Sequence, residues 1–261
     1  MQDIEIFQVD AFTDKVFHGN PAAVCLLEEW LNDELMQAIA AENNLSETAF
    51  IVEDAKGFHI RWFAPNGEIS LCGHATLAAG FVLFELEKVF SNRVDFSSMS
   101  GTVSVERKED RVELDFPRVS YESYSVQNLP ENLLDQPILE AWNTPLDMVL
   151  ILGSELEVMK AQVNPRALMT MENRGLAITA KADDVDFYSR CFYPKHNISE
   201  DPVTGSAHCI LAPLWAEKLG KTELQAIQGS TRRGVLSCTV DDDRVYLAGA
   251  CRWFLKGTLV I

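Results

Sequence analysis

Glu47 is the first residue whose sequence surroundings suggest acid–base chemistry. Residues 44–50 (NLSETAF) place its carboxylate among small and apolar side chains, where a predicted helix gives way to a strand. Apolar surroundings disfavour the charged form and raise the pKa of a carboxyl group, which suits a group that both takes and returns a proton near neutral pH. Glu47 is therefore predicted to be a general base and acid. A local cap or ion pair is its alternative role.

Residues 72–76 (CGHAT) offer an imidazole and a thiol beside a glycine. Gly73 permits close approach of a ligand to the backbone. His74 falls in the first turn of a predicted helix, where the helix dipole lowers the pKa of an imidazole and keeps it neutral for proton relay. A purely structural His74 is the alternative. Cys72 directly precedes the helix, where a thiolate can be stabilised, so an epimerase that depends on Cys72 stays open.

Residues 200–207 (EDPVTGSA) carry the densest set of polar groups. The proline after Asp201 holds this aspartate extended and outside the following helix. Thr204 and Ser206 supply hydroxyl groups, and the N–H groups of Gly205 and Ser206 are expected to point along the helix start. The segment predicts an anion-binding helix N-terminus, with a simple capped turn as the alternative.

A basic turn at residues 228–234 (QGSTRRG) contains Arg232, which could contact a carboxylate or phosphate or could belong to a plain hairpin. The chain has no P-loop and no G-x-G-x-x-G motif, so the sequence gives no support for a nucleotide cofactor. We expect no cofactor.

A metal site is a competing interpretation, because several side chains could bind a metal ion. They are His74, Asp201, His196, His208 and Cys209. None of them shows ligand spacing such as H-x-x-x-H, and the adjacent His208 and Cys209 would point about 100° apart on a helix. We therefore expect no metal site.

A repeated pattern predicts the elements that position these residues. Residues 61–65 (RWFAP) lead to 73–75 (GHA), and residues 190–194 (RCFYP) lead to 205–207 (GSA). Each Arg-x-Phe-x-Pro is typical of a strand end, and each Gly-polar-Ala opens an apolar helical stretch. Two similar domains, each presenting a helix N-terminus, would make a pocket for a small acid if those ends faced each other.

The remaining pattern contains more strand than helix and favours an α+β fold. Helices are expected from Asn32 to about Asn43, from Gly73, and from Gly205 to about Leu219. Strands are expected at 4–12, 22–26, 46–52, 58–63, 102–107, 111–116, 148–152, 175–179, 187–192, 235–240 and 245–247. We predict two domains, residues 1–118 and 119–261. In this prediction the final strand can return to the first domain. Span 119–145 is polar, contains three prolines and is predicted to be the linker.

Composition excludes several classes of protein. The 261 residues carry a net charge of −17 and are 47% hydrophobic, which disfavours binding to nucleic acid or to an anionic membrane and suits a globular core. The sequence shows no signal peptide, no membrane span and no C-x-x-C among its six cysteines. We expect a cytoplasmic protein with reduced cysteines.

Five long segments in order make the chain resemble a known family. They are QVDAFT at 8–13, FHGNPAAV at 17–24, LSETAF at 45–50, CGHAT at 72–76 and EDPVTGSAH at 200–208. Together they are similar to the PhzF-like isomerases of phenazine biosynthesis, relatives of diaminopimelate epimerase. The resemblance covers nearly the whole chain. It implies two similar domains related by a pseudo-twofold axis, each a barrel-like, mostly antiparallel sheet around a central helix, with a cofactor-free site between them and a homodimeric assembly.

The resemblance also implies roles for individual residues. In the family's phenazine enzyme a glutamate shuttles a proton, and that motif falls on Glu47, with His74 and Asp201 as further catalytic residues. Substrate contacts are expected at Asn20, Gly73, Thr204, Gly205, Ser206 and Arg232. The substrate is expected to be a small carboxylate. Diaminopimelate epimerase uses two cysteines, of which Cys72 could represent one; the other is missing near Val203. In the basic turn, Arg233 stands where relatives commonly have glycine, which could alter the charge of the substrate or the turn itself.

Overall fold

The computed structural model describes residues 3–261, in which five helices and eighteen strands are defined. The elements up to residue 117 are, in chain order, β1 (Asp3–Ala11), β2 (Asn20–Leu27), α1 (Asp33–Asn43), β3 (Glu47–Asp54), β4 (Gly57–Ala64), β5 (Gly67–Ile69), α2 (Gly73–Glu85), β6 (Arg93–Ser98), β7 (Gly101–Lys108) and β8 (Arg111–Pro117). Those that follow are β9 (Glu122–Tyr124), β10 (Glu140–Asn143), β11 (Asp147–Ile151), α3 (Glu155–Lys160), α4 (Pro165–Met169), β12 (Gly175–Lys181), β13 (Phe187–Tyr193), β14 (Ile198–Asp201), α5 (Gly205–Leu219), β15 (Glu223–Gln228), β16 (Gly234–Asp241), β17 (Arg244–Gly249) and β18 (Cys251–Val260).

The chain divides into two compact units. The first comprises the residues up to Asp115 together with Ala248–Ile261, and the second is Phe116–Leu247. β18 therefore belongs to the first unit, where it pairs antiparallel with β1.

In the first unit the paired strands follow the order β18-β1-β2-β3-β4-β6-β7-β8. All neighbours are antiparallel except β2 with β3 and β4 with β6. α2 contacts β1, β2 and β3 near one end of this order and β7 near the other. Because strands from both ends touch one helix, the sheet curls around α2, without closing into a barrel.

The second unit repeats this arrangement. Its paired strands follow the order β9-β10-β11-β12-β13-β15-β16, parallel only at β11 with β12 and at β13 with β15. β14 pairs antiparallel with β13 as β5 does with β4, and α5 packs on β15 and β16. The prediction of two similar α+β halves, each with a central helix, is confirmed.

Both central helices are buried on nearly all sides, as expected for apolar helices enclosed by a sheet. They begin at Gly73 and Gly205, where the repeated motif predicts, and β4 and β13 each end directly before a proline. None of the helices in residues 3–261 has both the length and the apolar composition that crossing a membrane requires.

The repeated arginines have a structural role that the motif alone does not reveal. Arg61 on β4 donates to both carboxylate oxygens of Glu68 on β5, at 2.7 Å each. Arg190 on β13 does the same to Glu200 on β14, at 2.9 and 2.8 Å. In each unit this bidentate ion pair connects the longer strand that carries the arginine to the short strand that follows it.

α1 brings the chain to Glu47 and follows its prediction closely. The side-chain oxygen of Asn32 accepts a hydrogen bond from the backbone N–H of Leu35 at 2.8 Å and caps the helix. Asn44 ends it in the left-handed conformation, with φ of 50°. β3 then starts at Glu47, paired in parallel with Ala22 of β2.

The prediction of a linker at 119–145 is wrong. This span contains β9 and β10, and Leu133 and Ala141 lie in the core of the second unit. Its prolines lie in short irregular segments that pack on that core. Polarity and proline content therefore gave a misleading indication of a domain boundary.

All six cysteines are buried and none forms a disulfide among residues 3–261. Burial raises the pKa of Cys25 and of Cys209 to about 12 in each case. These thiols are therefore protonated at neutral pH.

Gly80 marks the closest approach of α2 to the sheet. A Cβ added there would lie 2.4 Å from Cγ1 of Val105 on β7, and valine has little freedom to move aside. We expect Gly80→Ala to reduce the free energy of unfolding by about 1–3 kcal/mol, although alanine normally favours a helix by about 1 kcal/mol. Urea unfolding checks this, with Gly67→Ala, where a Cβ would meet open space, as the control. A stabilised Gly80→Ala variant would contradict the packing described.

Candidate active site

The first candidate cluster lies at the N-terminus of α2. Glu47 begins β3 and His74 lies in the first turn of α2, and Nε2 of His74 is 3.2 Å from Oε2 of Glu47. Both residues are buried, with 9% of Glu47 and 6% of His74 exposed. The predicted pair of acid–base residues is therefore in direct contact within one unit.

Asn20 determines which nitrogen of His74 carries the proton. Its side-chain Nδ2 lies 3.3 Å from Nδ1 of His74, and an amide nitrogen can only donate. Nδ1 is then the acceptor, so Nε2 carries the hydrogen and faces Oε2 of Glu47 at 3.2 Å, with neither of these two atoms completing a hydrogen bond within residues 3–261. The structure thus orders three predicted site residues into a buried chain, Asn20 to His74 to Glu47.

His74 is neutral, as predicted, but for a different reason. Burial lowers the pKa of His74 to about 3, even with a carboxylate against it. The prediction invoked the helix dipole; desolvation in the enclosed cluster is the cause that the structure identifies.

Cys72 is the third chemical group of this cluster. Its Sγ lies 3.5 Å from Nδ1 of His74, whereas Glu47 faces Nε2. Ligand atoms of Glu47, Cys72 and His74 lie within 4.8 Å of one another, so among residues 3–261 these three could hold a metal ion. The carboxylate and the thiol face different ring nitrogens of His74.

The two central helices begin alike. Cys72 and Thr204 are their N-cap residues, both extended, and neither side chain accepts a hydrogen bond from the first turn. Gly73 and Gly205 are the first helical residues. Neither N-cap side chain therefore caps its own helix, which suits a helix N-terminus that binds an anion.

The second candidate cluster lies before α5 in the other unit. Asp201 and Thr204 are largely buried, and the Thr204 hydroxyl donates to Oδ2 of Asp201. Gln228, fully buried, accepts from the backbone N–H of Thr204 at 2.9 Å and donates to the carbonyl of Asp201 at 2.8 Å. Gln228 thereby fixes the loop that holds two predicted site residues.

Ser206 is held by residues that sequence reasoning missed. Nη2 of Arg174 donates to Oγ of Ser206 at 2.6 Å, and Nε and Nη2 also donate to the two oxygens of Asp147, at 2.9 and 3.1 Å. The Tyr193 hydroxyl donates to the same carboxylate at 3.2 Å. Arg174, Asp147 and Tyr193 are isolated in the sequence, and the pairing of β12 with both β11 and β13 brings them together. No local signal could have found them.

Arg232 lies in the basic turn between β15 and β16 and is half-buried. Gly229 in that turn has φ of 101°, and a Cβ there would be 2.1 Å from the carbonyl oxygen of Arg232 and 2.8 Å from that of Pro202. The turn thus packs against the segment that carries Asp201. Substrate contact by the Arg232 side chain stays a prediction, as does the sharing of one substrate by the two clusters.

Acid is expected to destabilise the protein through two buried histidines. Burial lowers the pKa of His74 to about 3 and that of His208 to about 4, against about 6.5 in an unfolded chain. Between those values the unfolded state binds more protons, so the free energy of unfolding should fall as the pH drops below about 6.5. The expected loss is about 1 kcal/mol per histidine at pH 5.5, measured by urea unfolding from pH 5 to 8.

His208→Gln is the matched variant for this measurement. Nδ1 of His208 bonds the Thr204 carbonyl at 2.9 Å, a bond that a glutamine amide can supply. The free energy of unfolding of the His208→Gln variant should change with pH by about half as much as that of the unaltered protein. An unfolding free energy that does not change from pH 7.5 to 5.5 in the unaltered protein would contradict the buried neutral state of both histidines.

Comparison with known proteins identifies the family of the chain. The sequence pattern of the family described as phenazine biosynthesis-like protein matches residues 9–257. A protein of Pseudomonas aeruginosa named an uncharacterized isomerase is 45% identical over 259 residues, covering 98% of this chain and 99% of its own. The human phenazine biosynthesis-like domain-containing protein is 38% identical, covering 98% of this chain and 99% of its own.

Solved structures give the same result. The crystal structure of a PhzF family protein from Enterococcus faecalis matches with a TM-score of 0.95 and 44% identity, covering 100% of each chain. A hydroxyproline epimerase from Agrobacterium vitis, 10% identical, matches with a TM-score of 0.63, covering 98% of this chain and 92% of its own, and shows the shared epimerase-like fold alone. The chain belongs to the PhzF-like family of phenazine biosynthesis-like proteins.

Proposed function

We propose that the protein is a cofactor-independent isomerase that moves a proton on a small carboxylate-bearing substrate, with Glu47 as the acid and base. The observation that carries the proposal is the contact of 3.2 Å between His74 and Glu47, at the end of a buried chain from Asn20. The names of its relatives, which include isomerases, support the class of reaction. Cytoplasmic location and homodimer assembly stay predictions.

Glu47 performs the proton transfer in this proposal. Its carboxylate removes a proton from a carbon that is alpha to, or conjugated with, the substrate carboxylate. The electron pair left on carbon is delocalised toward that carboxylate, and protonated Glu47 then returns the proton to a different carbon. No atom is gained or lost, so the product is an isomer. Neutral His74, whose Nε2 faces Glu47, is proposed to donate to the carboxylate during the reaction.

The substrate carboxylate is held by backbone N–H groups in this proposal. The uncapped first turns of α2 and α5, beginning at Gly73 and Gly205, favour an anion and the negative charge that develops on it. Asp201, Thr204 and Ser206 are proposed to orient the substrate or to relay protons. Arg174 holds Ser206 in place for that role.

A screen for conversion at constant mass tests the reaction class. The purified protein is incubated with a panel of unsaturated and α-substituted carboxylic acids, without added cofactor, and products are separated by chromatography with mass detection. We expect at least one acid to give a product of unchanged mass. Products whose mass differs from that of the substrate, or turnover only after a redox or nucleotide cofactor is added, would overturn the proposal.

A second candidate function is an epimerase that depends on Cys72, which the contact of 3.5 Å between Cys72 and His74 favours. Two-thiol epimerisation needs a second cysteine at the equivalent position of the other unit. That position, the N-cap of α5, is Thr204. The proposed isomerase therefore agrees better with the unequal residues of the two units.

Cys72→Ser should retain activity within about threefold if Glu47 is the acid and base. Serine can still hydrogen-bond to His74 but cannot act as a thiolate at neutral pH. Initial rates on a substrate from the screen measure the effect. A loss of a hundredfold or more, in a variant with unchanged thermal unfolding, would favour the epimerase.

A further inference from the structure

The second unit contains a cavity of about 800 Å³ that the proposed reaction does not use. Its size is within the range of small-molecule sites. Amide and basic side chains line much of it: Asn128, Asn143, Asn173, Arg174, Lys195 and His196.

Two cationic side chains line this cavity, one of them paired with Asp147. Arg174 and Lys195 are full cations and His196 adds an imidazole, whereas Glu172 is the acidic residue of the lining. Nζ of Lys195 donates to the backbone carbonyls of residues 171–173, which hold the ammonium in place without neutralising it. Because Asp147 pairs with Arg174, Lys195 supplies positive charge to the lining and the Arg174 guanidinium contributes directed donors.

Arg174 lines the cavity, and one edge of its guanidinium is fixed by other residues. Nε and Nη2 are held by Asp147 and Ser206, and the guanidinium carbon lies 5.4 Å from the centre of the Tyr193 ring. Nη1 makes no hydrogen bond within residues 3–261, and 35% of the side chain is exposed. A guanidinium with one edge anchored and one edge open is preorganised to bind a carboxylate.

We propose that this cavity binds a small carboxylate, with Nη1 of Arg174 donating to it and Lys195 adding its charge. The ligand contacts are made within the second unit. Because Arg174 also holds Ser206, an occupied cavity restrains the first turn of α5. The inference rests on the cavity and its charges and does not depend on proton transfer by Glu47.

Titration with benzoate tests the inference, with benzamide as an uncharged probe of the same shape. Binding is measured on the full chain by isothermal titration calorimetry. We expect benzoate to bind at least tenfold more tightly than benzamide. Arg174→Lys, which keeps a cation for Asp147 but loses Nη1, should weaken benzoate at least tenfold, and Lys195→Met should weaken it severalfold. Glu47→Gln should leave it unchanged.

Crystals soaked with 4-bromobenzoate locate the site. An anomalous bromine peak in the cavity beside Arg174 is the expected result. The inference is overturned if benzamide binds as tightly as benzoate, if both cavity variants bind benzoate like the unaltered protein, or if the bromine peak lies only elsewhere. Loss of benzoate binding in Glu47→Gln would also overturn it, because the carboxylate would then occupy the proposed catalytic cluster. If Arg174→Lys fails to fold, Lys195→Met and the bromine peak decide the outcome.

Discussion

Replacing Glu47 with glutamine is expected to lower the turnover number by about 10²–10⁴-fold, the usual contribution of a general acid or base. Glutamine has nearly the same shape, and its carbonyl oxygen can still face Nε2 of His74. It cannot take up a proton from carbon. The substitution therefore removes the proposed chemistry and leaves the surrounding contacts in place.

Glu53→Gln is the matched control for this experiment. Glu53 lies on the same strand, β3, but is exposed. Its substitution should leave the turnover number within about twofold, since a surface charge far from proton transfer contributes little. Initial rates at saturating substrate measure both variants. A Glu47→Gln enzyme with more than a third of normal turnover would show that another residue moves the proton.

Replacing Arg174 with glutamine should reduce the free energy of unfolding by about 3–5 kcal/mol, the usual cost of leaving a buried charge without its partner. Asp147 is fully buried, and both of its carboxylate oxygens accept hydrogen bonds from Arg174. Tyr193 alone would remain to hold this carboxylate. Unfolding in guanidinium chloride measures the loss.

A double variant separates the cost of the unpaired charge from the loss of packing. Arg174→Gln combined with Asp147→Asn removes both charges and should recover most of the lost stability. If the single variant loses less than 1 kcal/mol, Asp147 is not isolated from water as described. If the double variant is no more stable than the single one, the loss comes from packing and not from charge.

Features that depend on neighbouring residues in the chain were predicted well. The helix from Asn32 follows from a capping side chain and the spacing of apolar residues, and the helices from Gly73 and Gly205 follow from a repeated motif. The doubled motif also predicted two similar halves, because each copy contains a complete strand, loop and helix start. Such patterns encode local structure directly.

Features that depend on distant residues were missed. The network of Arg174, Asp147 and Tyr193 forms only when β12 pairs with β11 on one side and with β13 on the other. The prediction of a linker at 119–145 was wrong because packing on a core, not local polarity, decides which irregular segments belong to a domain. Likewise, the pKa of His74 depends on how completely the folded unit excludes water from it.

The most direct test of the proton transfer is the deuterium content of product formed in heavy water. With a substrate from the constant-mass screen, the unaltered enzyme should give product carrying one deuterium at the carbon that receives the proton. The fraction of labelled product measures how far Glu47 exchanges its proton with solvent. Glu47→Gln should give neither product nor labelled substrate above background, whereas Glu53→Gln should label normally. Undiminished labelling by Glu47→Gln would contradict the account, because proton transfer would then proceed without the carboxylate on which it depends.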